Sequence, residues 1–451
     1  MNKLTAIVGA ALAALACQLP PAFASGAPPG AELTERPISF EAALTQVLNR
    51  HPELRQAQLG VEIAEQDRRR ARSPFLPRLD LTSTTQRIEA FGKIPGLETL
   101  LLSGKRRAYH TSSGLTLAMN VINGGADLAG VLSADEKKRD MALQEKLRRT
   151  AIAHTVLDSV HALRLAAVDA RIAALHARAR ADLLAQVDAD FALGRRPALA
   201  LSEARYEADN SELERSVRRR AYVSARRDLL ALMGGELPAP GQCCDAVEPP
   251  YTRTLNRFGL DEAGKISQAD VAASRVEQAR YDVIRARSRY LPRLDVFVSI
   301  NYAGLSQTSL VGPFKDQHKD KNFGGFTLTW NLFNGFETDA DFRAAKLRVA
   351  QSRAAHDGAL DEQEKRRAEL ARPMADALED EQIQRKKLQL IERKLDISRV
   401  KLELGKTDAA AHQTSQTELD LQKLELEKRA ELIDYYQAML MLRQAGAGGQ
   451  P

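Results

Sequence analysis

The residues of this chain that could do chemistry are few, and their spacing is poor for it. Eight histidines are scattered through 451 residues, and only His154 and His161 share a helix face, seven positions apart, with no carboxylate triad nearby in the sequence. Such a pair is either the start of a metal site or a solvated or lumen-facing helix surface. With no further ligand at a suitable spacing, the second reading is favoured. Of the three cysteines, Cys17 lies near the N-terminus, while Cys243 and Cys244 are adjacent in the Pro-rich stretch Leu237 to Pro250. That pair is a strained vicinal disulfide or two linker thiols, and no metal-ligand spacing surrounds it. Gly-rich phosphate loops and nucleophile elbows are missing. The expectation is a protein with no catalytic residue, cofactor or metal.

Composition then limits the scaffold. Charged residues make up 27% of the chain and aromatics only 5%, which suits long helices or coiled coils better than a compact enzyme. The N-terminus reads as an export signal: Lys3, an apolar stretch from Leu4 to Ala16, and an A-x-A site at Ala22-Phe23-Ala24, with cleavage expected after Ala24. Cleavage before Cys17 with lipidation of that cysteine is disfavoured, because Ala14-Leu15-Ala16 lacks the large aliphatic residue expected three positions earlier. Beyond Ala24 no run of about 18 apolar residues is apparent, so a membrane crossing would have to use strands. The net charge of +6 arises from 65 basic and 59 acidic residues. With export as well, Arg68 to Arg70 and Arg218 to Arg220 read as solvated helix faces rather than a nucleic-acid surface.

The chain repeats itself. "LPRLD" occurs from Leu76 and again from Leu291, 215 residues on. "SGLTLAMNVINGG" from Ser113 matches "GGFTLTWNLFNGF" from Gly324, and "FALG" ending at Gly194 matches "LELG" ending at Gly405, both 211 residues on. Three landmarks in one order define two structural repeats. The division expected is a signal peptide (1–24), an N-terminal tail (25–37), repeat one (38–234), a linker (235–259), repeat two (260–444) and a disordered C-terminal tail (445–451).

Each repeat reads as helix, strand, loop, strand, long helix, tight turn, helix. The first helix is expected from Ser39 to Arg72, ending at Ser73-Pro74. Pro77 and Pro292 mark helix-to-strand junctions, since proline removes a donor and disfavours helix before it. Ala126 to Leu193 and Glu337 to Leu404 are expected to be helices of about 100 Å, the second kinked at Pro373. The flanking helices, Ser39 to Arg72 with Ala198 to Met233, and Leu260 to Arg289 with Asp408 to Leu442, sum to similar lengths, so each long helix can pair with two short ones. Leu388, Leu395 and Leu402, and Leu419, Leu426, Ile433 and Leu440, recur every seven residues as coiled-coil seams.

The strands alternate. Leu294, Val296, Val298, Ile300 and Tyr302 share one face, against Asp295, Ser299 and Asn301 with Phe297. Phe326, Leu328, Trp330 and Leu332 oppose Thr327, Thr329 and Asn331, and Leu115, Leu117, Met119 and Val121 oppose Thr116, Ala118 and Asn120. This is the pattern of an outer-membrane barrel wall, apolar outside and polar inside. Four strands are too few to close a useful barrel, so several chains would have to contribute. Tyr302, Phe323 and Trp330 become candidates for an interfacial aromatic girdle. Asp80 and Asp295, just inside the junctions, are expected to face water or the lumen near the periplasmic rim.

Over about residues 37 to 444 the exported N-terminus, two repeats, "LPRLD" junctions, "N-x-x-N-G" strand ends at Asn120 to Gly124 and Asn331 to Gly335, and "LG" turns resemble the TolC-type outer-membrane channels. The resemblance implies a mixed α and transmembrane β fold with four barrel strands per chain. Three chains would form a twelve-stranded β-barrel on a periplasmic α-helical tunnel. It implies an exit duct for tripartite efflux or type I secretion, partnered by outer-membrane lipid, a periplasmic adaptor and an inner-membrane ABC or proton-driven transporter. It places adaptor-docking tips at Leu193, Gly194, Arg195 and Arg196 and at Leu404, Gly405, Lys406 and Thr407. Where prototype members carry two acidic residues around the closed mouth, this chain has Ala411 and Thr414, leaving Asp408 as the nearby carboxylate. The alternative is a secreted coiled-coil scaffold or adhesin without channel activity, which has no use for amphipathic strand pairs.

Overall fold

The computed structural model describes residues 38–89, 107–235, 250–260, 266–306, 311–315, 317–404 and 409–443. The chain divides into two compact units, Met1–Ile38 and Ser39–Pro451, and the second holds all the described helices and strands. The export signal, Cys17, Cys243, Cys244 and the C-terminal tail lie outside the described residues.

Helix α1, Phe40–Arg50, starts where the Ser39 side chain accepts the Ala42 amide proton at 3.1 Å, an N-cap that satisfies a free helix donor. The single helix expected from Ser39 to Arg72 is two. Pro52 excludes helical backbone at His51, whose ψ is 122°, and α2, Pro52–Ala71, restarts with that proline in its first turn. A 3₁₀ turn at Ser73–Phe75 leads to β1, Arg78–Glu89. Then come β2, Arg107–Ile122, and the long α3, Ala126–Ala192, followed by α4, Ala198–Leu232.

The second half repeats this order after a short helix, α5, Tyr251–Arg257, inside the segment expected to be only linker. Tyr251 and Leu255 are fully buried, which explains why the segment is ordered there. Helix α6, Gln268–Ser288, starts later than expected, because Ser267 and Asp270 form a capping box. Strand β3 is Arg293–Ser306, α7 is the four-residue Gly312–Lys315, and β4 is His318–Thr329. Helix α8, Glu337–Glu403, continues through Pro373, and α9 is Ala409–Arg443. Both long helices have 67 residues, about 100 Å each. An 18-residue window of α3 reaches a mean hydropathy of 1.2, an apolar run the composition had not suggested. The buried side chains of α3 concentrate from Ile152 to Ala177, as expected of a helix with neighbours on several sides.

Helix α3 packs along α2 and α4 of its own repeat and also meets α6 and α9; α8 packs along α6 and α9. Each long helix therefore packs along two short helices of its own repeat, and α3 meets two of the other repeat as well. The heptad positions are the ones that pack: Leu419 and Ile433 are buried, and Leu388, Leu395, Leu402, Leu426 and Leu440 are partly so. The tightest core lies where α1, the middle of α3, α5 and the C-terminal ends of α4 and α9 converge, with Leu44, Leu157, Leu229 and Ala438 wholly buried.

The four strands form one antiparallel sheet in the order β1-β2-β3-β4. Leu79 faces Leu117 and Asp80 faces Thr116; Leu294 faces Leu328 and Asp295 faces Thr327. Shifting the first two pairs by the repeat offsets yields the second two, so the hairpins share one register.

Candidate functional site

The sheet carries the first candidate surface. Its apolar side chains are exposed: Leu79, Leu81, Leu117, Met119, Val298, Phe326 and Leu328 all meet solvent in the single chain. Leu81 is 76% exposed, which no soluble hairpin packed on a helix would tolerate over a whole face. The opposite face is polar and hydrogen-bonded. Thr116 and Ser299 share a hydroxyl hydrogen bond of 3.0 Å, and Asn301 sits opposite Gly114. Beyond the apolar stretch the first face turns polar too, with Ser83 bonded to Ser113 and Thr85 to Thr111, each at 2.8 Å.

The girdle candidates separate. Tyr302 lies on the apolar face near one end of β3, and Trp330 lies just past β4 at the other end, where its Nε1 donates to the Tyr290 carbonyl at 3.1 Å. About ten strand positions separate the two levels, roughly 33 Å along a strand and ~25 Å along a barrel axis at the usual tilt. Phe323 does not belong with them. It pairs with Ser299 and packs edge-on against Phe297, ring centroids 5.9 Å apart, on the polar face. A one-residue parity separates the two faces of the sheet, and Phe323 falls on the polar one.

The two junctions are built alike. Leu76 and Leu291 each donate a backbone hydrogen bond three residues back, to Ser73 at 3.0 Å and to Ser288 at 2.9 Å. Pro77 and Pro292 then precede the first strand residue. Arg78 Nε donates to Asp80 at 2.6 Å, and Arg293 Nε lies 2.8 Å from Asp295. Both carboxylates lie on the polar face, neutralised by the arginine two positions back. The return turns match as well: Asn123 Oδ1 accepts the Asp127 amide and Asn334 Oδ1 the Thr338 amide.

The helix-hairpin tip of repeat one is a Schellman ending. Gly194 N donates to Phe191 O and Arg195 N to Asp190 O, both at 2.9 Å, with Gly194 at φ +68°. Leu193 projects from it, 66% exposed; Arg195 and Arg196 are exposed, and Arg196 pairs with Asp190 at 3.5 Å. Leu404 has the same φ and ψ as Leu193, −85° and 3°, and is 62% exposed. Gly405, Lys406, Thr407 and Asp408 lie outside the described residues, as does the side chain of Ala411. Thr414 is exposed on α9, beside Gln413, whose Nε2 lies 3.5 Å from Asp182 of α3.

A buried polar cluster that the sequence did not announce ties α3, α5 and α9 together. The Tyr251 hydroxyl donates to Glu431, the Tyr251 amide donates to Asp434 at 3.0 Å, and the Arg164 guanidinium lies 3.3 Å from Glu431 and 4.4 Å above the Tyr251 ring. His161 stacks on Tyr435 at 4.0 Å, 3.8 Å from Glu431, and His154 pairs with Asp158 at 3.0 Å. Both histidines therefore do have carboxylate neighbours, and His161 is buried rather than solvated. The Asp158 partner was readable at i+4, but Glu431 was not, being 270 residues away from His161. Burial pushes the Tyr251 hydroxyl pKa up, so it stays a donor. Burial would raise Glu431 too, but the His161 and Tyr251 hydrogen bonds and the Arg164 charge outweigh it, and its carboxyl sits below the usual range. Asp434 is raised, chiefly by burial. The cluster ties the three helices together through hydrogen bonds and ion pairs.

The family described as "Outer membrane efflux protein" has a sequence model that matches residues 43–235 and 268–446. Among solved structures the chain is similar to the outer membrane protein VceC from Vibrio cholerae, at 16% identity and TM-score 0.68, covering 90% of this chain and 96% of that one. It is also similar to the Campylobacter jejuni CmeC outer membrane channel (15% identity, TM-score 0.64, 95% and 92% covered). The Neisseria gonorrhoeae MtrE outer membrane channel, in its open state, matches at 17% identity and TM-score 0.60, with 90% and 89% covered. Among curated proteins, sequence comparison finds no match.

Proposed function

With most of its length matched by that family model, the chain belongs to the outer membrane efflux protein family, and we propose that it is the exit duct of a tripartite export system. Members of the family are outer-membrane channels with long periplasmic helical tunnels, and they work as trimers with an adaptor and an inner-membrane transporter. On this reading three copies pool their strands into one twelve-stranded barrel. The observation that carries it is the open sheet, apolar on an exposed face and polar on the other, continuous with two helices of 67 residues. Four strands cannot enclose a passage, whereas twelve can.

The duct conducts passively, and the energy comes from an ABC or proton-driven transporter in the inner membrane. Cargo is a secreted protein or small toxic compounds. The exposed leucines at Leu193 and Leu404, with Gly194, Arg195 and Arg196 and with Gly405, Lys406 and Thr407, are the adaptor-docking tips. The periplasmic mouth closes through Asp408 or through packing around Ala411 and Thr414. Tyr302 and Trp330 mark the two membrane interfaces, and Pro77 and Pro292 turn tunnel wall into barrel wall, with Asp80 and Asp295 lining its rim. The signal peptide ends at Ala24, and beyond it two repeats are joined by a linker whose last part carries α5.

The test is a deletion strain challenged with a panel of toxic compounds and surveyed for its secreted proteins. At least one resistance or one secreted protein is lost, and the wild-type chain restores it. Leu193→Asp with Leu404→Asp does not restore it, although the protein reaches the outer membrane in normal amount. Full restoration by that variant would remove the tips from the docking surface, and an unchanged deletion strain would remove the export function.

A further inference from the structure

The in-chain seam between the two repeats, β2 against β3, shows how one repeat's outgoing strand meets the other's incoming strand. We infer that the seam between neighbouring copies repeats it: β4 of one copy pairs antiparallel with β1 of the next, with Thr327 opposite Thr84 and Leu328 opposite Ser83. This rests on the trimeric channel reading and gives its partner surface a residue-level register.

The argument is one of quasi-equivalence. Strand β4 is the copy of β2, 211 residues on, and β1 is the copy of β3, 215 residues back. The two in-chain hairpins obey these offsets pair by pair as far as Asn301 opposite Lys321, and depart only beyond a bulge there, where Tyr302 faces Lys319, so over the stretch from Leu294 to Ser299 the repeats have diverged without slipping. In the seam that one chain contains, Thr116 faces Ser299, Met119 faces Val296, Asn120 faces Asp295, and after a bulge Ile122 faces Leu294. Applying the offsets puts Trp330 opposite Leu81, Asn331 opposite Asp80 and Phe333 opposite Leu79 of the next copy. At these three positions the chemistry agrees, apolar with apolar and amide with carboxylate, while Leu328 meets the small Ser83. Trp330, Phe333, Leu79 and Leu81 are all exposed in the single chain, so the pairing sets apolar side chains of neighbouring copies side by side.

The turns beside the strands fit the same rule. A Cβ at Gly124 would lie 3.0 Å from Leu291 Cβ, so the return turn of repeat one nests on the helix-to-strand junction of repeat two. The equivalent glycine, Gly335, has nothing within 4 Å of such an atom, and the equivalent of Leu291 is Leu76, exposed. Leu76 of the next copy fills that place. In the helices, α3 of repeat one meets α9 of repeat two within the chain. The counterpart, α8 against α4 of the next copy, is matched by two uncovered heptad stripes: Ile383, Leu390 and Ile397 on α8, and Leu199, Tyr206 and Leu213 on α4.

Disulfide trapping reads the register. In a background with Cys17, Cys243 and Cys244 replaced by Ser, two double variants are made, Thr84→Cys with Thr327→Cys and Ser83→Cys with Leu328→Cys. Neighbouring antiparallel pairs alternate between wider and closer spacing, so one of the two pairs suits a disulfide. Thr116→Cys with Ser299→Cys and Leu117→Cys with Val298→Cys, the in-chain equivalents of the two seam pairs, report that trapping works. Mild oxidation is expected to give a reducible species at three times the chain mass for at least one seam pair, while Gln86→Cys with Thr327→Cys, two positions out of register, stays monomeric on a denaturing gel. If native trimers form but only the shifted pair cross-links, or neither seam pair does while an in-chain pair closes, the register is overturned. If no trimer forms in any variant or in the wild type, the channel reading itself fails.

Discussion

Glu431 joins three helices from the interior, and its protonation state decides whether they stay joined. It accepts from Tyr251 of α5 and faces Arg164 and His161 of α3. A hydrogen bond to a charged acceptor contributes about 1.5–3 kcal/mol, so Tyr251→Phe is expected to destabilise the helical region by that amount. The folded carboxyl of Glu431 lies below its unfolded value. Its contribution is therefore fully present above about pH 4.3 and is lost as pH falls through the folded value. Asp434 acts in the opposite sense: raised by burial, its contribution is present below about pH 3.9 and fades as pH rises. Thermal unfolding in detergent between pH 7 and 3 should show the wild type losing more stability on acidification than Glu431→Gln, which starts lower at neutral pH. Parallel pH profiles would contradict this role for Glu431. Of the cluster only His154 and His161 stood out in the sequence, and without their carboxylate partners, because most of its members meet only after the halves of the chain fold together.

At the scale of elements, the sheet's two faces make the sharpest demand. Leu117 lies on the exposed apolar face and Thr116 on the polar one. An arginine facing lipid near the bilayer midplane costs about 2–4 kcal/mol, while one in a wet lumen costs little. Leu117→Arg should sharply reduce the amount assembled in the outer membrane, and Thr116→Arg should assemble at near wild-type yield with altered ion conductance. Equal yields would mean that the faces are assigned the wrong way round. Strand faces, long helices and heptad seams were legible because each is a strict local period. Two boundaries were not: Pro52 splits the first helix at His51, and α5 forms inside the expected linker, just after its Pro-rich stretch, where Tyr251 finds a buried partner in Phe40, ring centroids 5.1 Å apart. Phe323 failed for a related reason, since an aromatic side chain announces an interface but not which side of the strand it takes.

At the scale of the whole molecule, one chain is an incomplete object. Among the described residues its sheet ends in two edge strands, its apolar sheet face is exposed, and α8 carries an exposed apolar stripe, all of which a closed ring of copies would satisfy together. The repeat landmarks made this legible from the sequence, whereas the number of copies and the identity of the cargo are properties of surfaces that one chain does not pair. The measurement that bears most directly on the central claim is the mass and origin of the native protein. Envelopes are fractionated, and the protein is extracted in mild detergent and weighed by light scattering with the detergent subtracted. The account predicts recovery from the outer-membrane fraction as an assembly of three chains; a soluble monomer from the periplasm would contradict it.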